Sequence, residues 1–120
     1  MTKTRIRRGS VDHEAATIAS FRRDRDLAAA YLDQVIADGD QAELLLALRR
    51  LSEAFGGVSL LAQEAGLNVT SLYRTLSAEG NPELRTLRAL LGAMGLRLSV
   101  APLGSGLART ARRRSDRPVG

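Results

Sequence analysis

Between residue 24 and residue 96, runs of Leu and Ala at helical spacing are closed repeatedly by glycine: at Gly39, at Gly56-Gly57, at Gly66, at Gly80 and at Gly95. Glycine ends helices readily because it enters the left-handed backbone region at no steric cost. The punctuation therefore cuts the chain into short helices, and short helices are stable only when they bury their apolar stripes against one another. With two Phe, two Tyr and no Trp in 120 residues, that shared core has to be built from Leu and Ala.

The individual helices can be placed from stripe and cap signals. Leu27, Ala28, Tyr31, Leu32, Val35 and Ile36 recur at helical spacing up to Asp38-Gly39. Asp40 then opens a second helix, with Glu43 three residues on as in a capping box, and with Leu44, Leu48, Leu51 and Phe55 as its stripe and Leu45 beside it. Arg49 and Glu53, four apart, fall on the opposite, solvated side. The short link at Gly39 makes these two helices an antiparallel pair. Ser59 is expected to cap a third helix through Leu60, Leu61, Ala62 and Ala65. Asn68 is expected to cap a fourth, containing Leu72 and Leu76 and ending at Glu79-Gly80. Asn81 is expected to cap a fifth, with Pro82 at its first position and Leu84, Leu87, Leu91 and Met94 as its stripe. Residues 13–22 carry a weaker helical pattern.

After Gly95 the period changes. Leu96, Leu98 and Val100 alternate with Arg97 and Ser99, a strand signal. A lone strand needs a partner, either the same strand of a second copy or a strand of another protein; the alternative is an extended tail lying on the helices. The fold class expected is all-α, a five-helix body over residues 24–102 with a short C-terminal strand. A basic arm, residues 1–23, and an Arg-rich tail, residues 103–120, flank it and are expected to be flexible.

Charge is spread unevenly. The formal net charge is +5, and 17 of the 18 basic residues are Arg. Residues 1–25 carry +4, residues 26–66 carry −5, residues 67–102 carry +2 and residues 103–120 carry +4. Such asymmetry suggests that different surfaces meet different partners. The absence of Cys excludes disulfide scaffolds, zinc knuckles and thiol nucleophiles, and His13 has no second His with which to bind a metal. The longest apolar run, Leu44 to Leu48, is too short to span a bilayer, and the basic N-terminus lacks the apolar stretch of a secretory signal. A cytoplasmic protein without cofactor or metal is expected. No catalytic grouping is suggested by the spacing, so the expectation is that the chain is not an enzyme.

The functional signal lies between Leu61 and Arg74. Small Ala62 allows two short helices to cross closely, Gly66 supplies the tight turn, and Leu67 and Leu72 lock the second helix onto the first. This is the pattern of a helix-turn-helix, whose second helix enters the DNA major groove; its commonplace alternative is an ordinary helical hairpin. Between Leu67 and Ala78 there is no acidic residue to repel phosphate.

Ala29-Ala30-Tyr31-Leu32, Gly39-Asp40, Leu46-Ala47-Leu48-Arg49, Ser71-Leu72-Tyr73-Arg74, Gly80-Asn81-Pro82 and Gly95-Leu96-Arg97-Leu98 together resemble the Cro/repressor-like (XRE-type) helix-turn-helix family of addiction-module antidote proteins, related to the HigA-like antitoxins. The resemblance covers residues 24–102. It implies an autoregulatory repressor, usually a homodimer, that neutralises a toxin of the RelE/ParE type.

The residues expected to touch double-stranded DNA are Ser59, Gln63, Asn68, Val69, Thr70, Ser71, Tyr73 and Arg74. Ser59 and Asn68, as caps, would turn backbone N–H groups toward phosphates. Arg74 suits guanine, and Val69 or the Thr70 methyl suits thymine. A dimer would require a palindromic operator. Arg5, Arg7, Arg8, Arg112, Arg113 and Arg114 are either solvated or in non-specific contact with the backbone of DNA. A second reading takes Asp26, Asp33, Asp38, Asp40 and Glu43 as the dock for a basic toxin rather than as a merely solvated face. A third is a stand-alone transcriptional regulator with no toxin.

Overall fold

Cap chemistry close to each turn frames the fold. The computed structural model describes residues 2–104, with side chains from residue 13 onward. Its regular structure is entirely helical: α1 (Thr2–Arg23), α2 (Arg25–Asp38), α3 (Gln41–Ala54), α4 (Val58–Ala65), α5 (Val69–Thr75) and α6 (Leu84–Ala93). Asp24 caps α2 by accepting from the Leu27 N–H, and Asp40 and Glu43 form the expected reciprocal capping box at α3. Two left-handed glycines, Gly56 and Gly57, turn the chain from α3 into α4.

α3 packs against α1, α2 and α4, and α4 packs in turn against α5 and α6. The core is aliphatic, with Leu45, Leu48, Leu51, Leu61, Leu72, Leu76, Leu90, Leu91 and Met94 as its largest fully buried side chains. Each such leucine contributes roughly 1.5–3 kcal/mol by leaving water. The buried polar Ser52 is satisfied, its hydroxyl donating to the Leu48 carbonyl at 2.8 Å.

Several local expectations need correction. There are six helices among the described residues rather than five, because the segment before Asp24 is itself helical and joins the core. Phe21 is buried and stacks on Tyr31 at 4.7 Å between ring centroids, and Ile18 packs beside it. α4 starts two residues earlier than a Ser59 cap would allow: Gly57 occupies the cap position and Ser59 lies within the first turn. α5 stops at Thr75 rather than at Glu79, and a turn closed by Ser77 N–H to Arg74 O and Gly80 N–H to Ser77 O follows it. α6 starts at Leu84 with Glu83 as its cap, so Asn81 and Pro82 belong to the link. Leu84 is consequently exposed; of the expected stripe Leu91 and Met94 are buried and Leu87 packs against the core, and Leu90 is buried beside them.

No strand is present among the described residues. Leu96–Val100 runs on without a ladder, placing half-buried Leu96 and Leu98 on the helical core and leaving Val100 fully exposed. The period-two pattern thus matches a tail packed on helices, one of the two arrangements the alternation allowed. No described helix is long and apolar enough to cross a membrane.

Candidate nucleic-acid interface

The α4–α5 corner is built by two backbone devices. Gly66 takes a left-handed conformation (φ 72°, ψ 30°), and the Leu67 N–H reaches back to the Ala62 carbonyl at 2.8 Å. Together they end α4 in the manner of a Schellman turn. Asn68 then starts α5: its side-chain oxygen accepts from the Ser71 N–H at 2.8 Å, and its carbonyl accepts from the Leu72 N–H at 2.9 Å. Ala62, Leu72 and Leu76 are buried at the crossing, with Leu67 and Val69 packed against them.

With that face turned inward, α5 presents Thr70, Ser71, Tyr73 and Arg74 to solvent, and Tyr73 is 55% exposed. The Arg74 guanidinium makes no ion pair or hydrogen bond among the described residues. Gln63 and Ser59 are exposed on neighbouring α4. Val69 is half-buried, packed against the core. Ser59 lies in the first turn of α4 rather than at its cap. The side chains of Arg5, Arg7 and Arg8, together with Arg112, Arg113 and Arg114, lie outside the described residues.

Much of the basic charge in the body has a structural use that charge counting does not reveal. Arginine can satisfy the orphan carbonyls at a helix C-terminus and favours the negative end of its dipole. Arg22 donates from Nε to the Ala54 carbonyl at 2.8 Å and from Nη2 to the Glu53 carbonyl at 3.3 Å, at the end of α3. Arg25 donates to the Met94 carbonyl at 2.8 Å, at the end of α6, while its guanidinium lies 5.0 Å from the Phe55 ring centroid. Arg49, expected to face solvent beside Glu53, instead donates to the Leu76 carbonyl at the end of α5. Thus α3 holds the far end of the corner helix while Asn68 holds its start.

Arg50 closes a fourth contact, with Glu14 at 3.3 and 3.4 Å and with the Tyr31 hydroxyl at 3.3 Å. Those hydrogen bonds, Glu14 first, hold its guanidinium above the ordinary arginine value, so it stays charged at any working pH.

The acidic block divides similarly. Asp40 and Glu43 are committed to the α3 cap, whereas Asp26, Asp33 and Asp38 remain exposed on α2, with Asp38 accepting from Gln34. Among the described residues no three His, Cys, Asp or Glu side chains converge as metal ligands.

Residues 13–102 match the family model described as probable addiction module antidote protein. The chain is also 30% identical over 70 residues to an uncharacterized protein of Haemophilus influenzae, an alignment covering 58% of this chain and 71% of that relative. No solved structure matches it. The matched span begins in α1 and runs through the last packed residues of the tail, so it takes in the whole described core, and the chain belongs to the family of probable addiction module antidote proteins.

Proposed function

We propose that this antidote is also a sequence-specific, double-stranded DNA-binding repressor that controls its own transcription in the cytoplasm. In this reading α4 and α5 act as a helix-turn-helix, and α5 reads the major groove. The observation that carries it is the outward face of α5. Thr70, Ser71, Tyr73 and Arg74 project from a helix anchored at both ends, and no carboxylate interrupts residues 67–78. Arg74 supplies the bidentate donor that suits guanine, and Gln63 on α4 lies on the adjoining exposed surface. The protein acts as a homodimer on a palindromic operator, which places equivalent α5 helices one turn of DNA apart.

Binding of the full chain to the DNA upstream of its own gene tests this. Arg74→Ala is expected to cost ~1–3 kcal/mol and to relax preference at one base position. Uniform weakening on every duplex would reassign Arg74 to a phosphate contact.

The antidote family supplies a toxin partner in general terms. We assign that partner to the basic RelE/ParE type and its dock to α2, where Asp26, Asp33 and Asp38 stand clear of the caps. Reversing Asp33 and Asp38 to Lys is expected to abolish toxin neutralisation while leaving DNA affinity unchanged. Retained neutralisation would exclude this face.

A further inference from the structure

Opposite in charge to α2, a second surface lies where the tail crosses α6. Arg85 and Arg88, three residues apart on one face of α6, and Arg97 on the tail surround an open groove of about 600 Å³, floored by Ala89, Gly92, Leu96 and Leu98. All three arginines are exposed. Arg88 and Arg97 make no ion pair among the described residues, and Arg85 has only a 3.7 Å approach to Glu83 with both side chains largely in water.

The backbone beside this groove is equally uncommitted. The Leu96 N–H closes the end of α6 on the Leu91 carbonyl, but among the described residues nothing hydrogen-bonds to the backbone from Arg97 to Ala101. That segment therefore offers a row of donors and acceptors next to three cations, which is the arrangement needed to accept an added strand.

We infer that Arg97–Ala101, together with Arg85 and Arg88, is a docking edge for an extended acidic segment of a partner protein, which adds as a strand and sets its carboxylates against the three guanidinium groups. Charge selects this occupant over the others. A second copy pairing the same edge with itself would bring a second set of the same three arginines and double the positive charge along the groove. The chain's own residues 103–120 carry +4 and are repelled in the same way. Small Ala89 and exposed Gly92 leave room for the incoming backbone to approach α6, and at Gly92 an added Cβ would meet nothing within 4 Å.

The test uses the full chain, its assigned amide spectrum, and a synthetic peptide of about six residues, a typical strand length, alternating Val and Glu. A Val/Lys peptide serves as the charge control. The acidic peptide is expected to shift the amides of Arg97 to Ala101 and to bind about tenfold more weakly to an Arg88→Glu, Arg97→Glu variant, while the basic peptide produces no shift. Ser99→Pro, which removes one donor from an exposed segment outside the helices, is expected to weaken binding with helix content unchanged. Equal shifts with both peptides, or none with either, would overturn the inference. So would concentration-dependent protection of these amides in the protein alone, which would assign the edge to a second copy. Displacement of the acidic peptide by random-sequence duplex DNA bound at Arg88 and Arg97 would assign the groove to nucleic acid and overturn it as well.

Discussion

Gly80→Ala is expected to destabilise the protein by about 3 kcal/mol or more. The reason is space. A Cβ on Gly80 would lie 1.6 Å from the Thr75 carbonyl oxygen, 2.4 Å from its carbon and 3.1 Å from the Arg74 carbonyl oxygen. These are backbone atoms of the last turn of α5, so no side-chain rotation relieves the clash. Relief requires moving the link to α6, at the expense of the Gly80 N–H bond to Ser77 and the Gln41 donation to the Gly80 carbonyl.

Denaturant unfolding measures the loss, which is expected as a lower midpoint at unchanged slope. Gly92→Ala provides the internal comparison. It substitutes the same side chain into the last turn of α6, with nothing within 4 Å, and is expected to stabilise by roughly 0.4–1 kcal/mol. Equal effects at the two positions would contradict the packing described for the α5–α6 link.

Leu72→Ala carries the second large effect, on stability and on the proposed interface together. α5 has only seven residues and a single buried side chain within its span, Leu72, at 2% exposed. A helix that short does not persist in water by its own propensity. Removing its one fully buried side chain is expected to cost about 2–5 kcal/mol and to free α5 ahead of the remaining helices. Amide hydrogen exchange separates the two consequences. Protection over residues 69–75 is expected to fall further than protection in α3, and DNA affinity to fall with it. Unchanged protection in α5 would mean that the Asn68 cap and the Arg49 contact hold the helix without Leu72.

How much of this was legible in the sequence depended on distance along the chain. The Asp40–Glu43 capping box, the Gly66 turn and the Asn68 cap involve partners three to five residues apart, and local patterning locates them. α1 was obscured because Ile18 and Phe21 are the two large apolar residues in residues 13–22, and Phe21 is buried where it stacks on Tyr31 of α2. The arginine contacts were not legible at all. The carbonyls that Arg22, Arg25 and Arg49 reach lie 32, 69 and 27 residues away, and nothing in the local sequence marks a carbonyl as an acceptor. The alternation after Gly95 was legible as a period, but a period does not say whether the inward side meets a sheet or a helical bundle. In this chain it meets the bundle.

These contacts alter the meaning of the net charge. Arg22, Arg25, Arg49 and Arg50 are held within the fold, whereas Arg74 projects alone from α5. The candidate interface therefore depends on the shape and side-chain chemistry of one short helix more than on overall positive charge, and it should discriminate among sequences instead of binding all DNA alike.

Selection from a pool of random-sequence DNA duplexes by the full chain, in parallel with a Thr70→Ala, Arg74→Ala variant, tests that claim most directly. The account predicts that the native chain enriches a two-fold symmetric motif with half-sites about one helical turn apart, ~34–36 Å, and that the variant loses base preference at defined positions within each half-site. Enrichment of the same motif by both proteins, or of none by the native chain, would contradict the assignment of α5 as the reading helix.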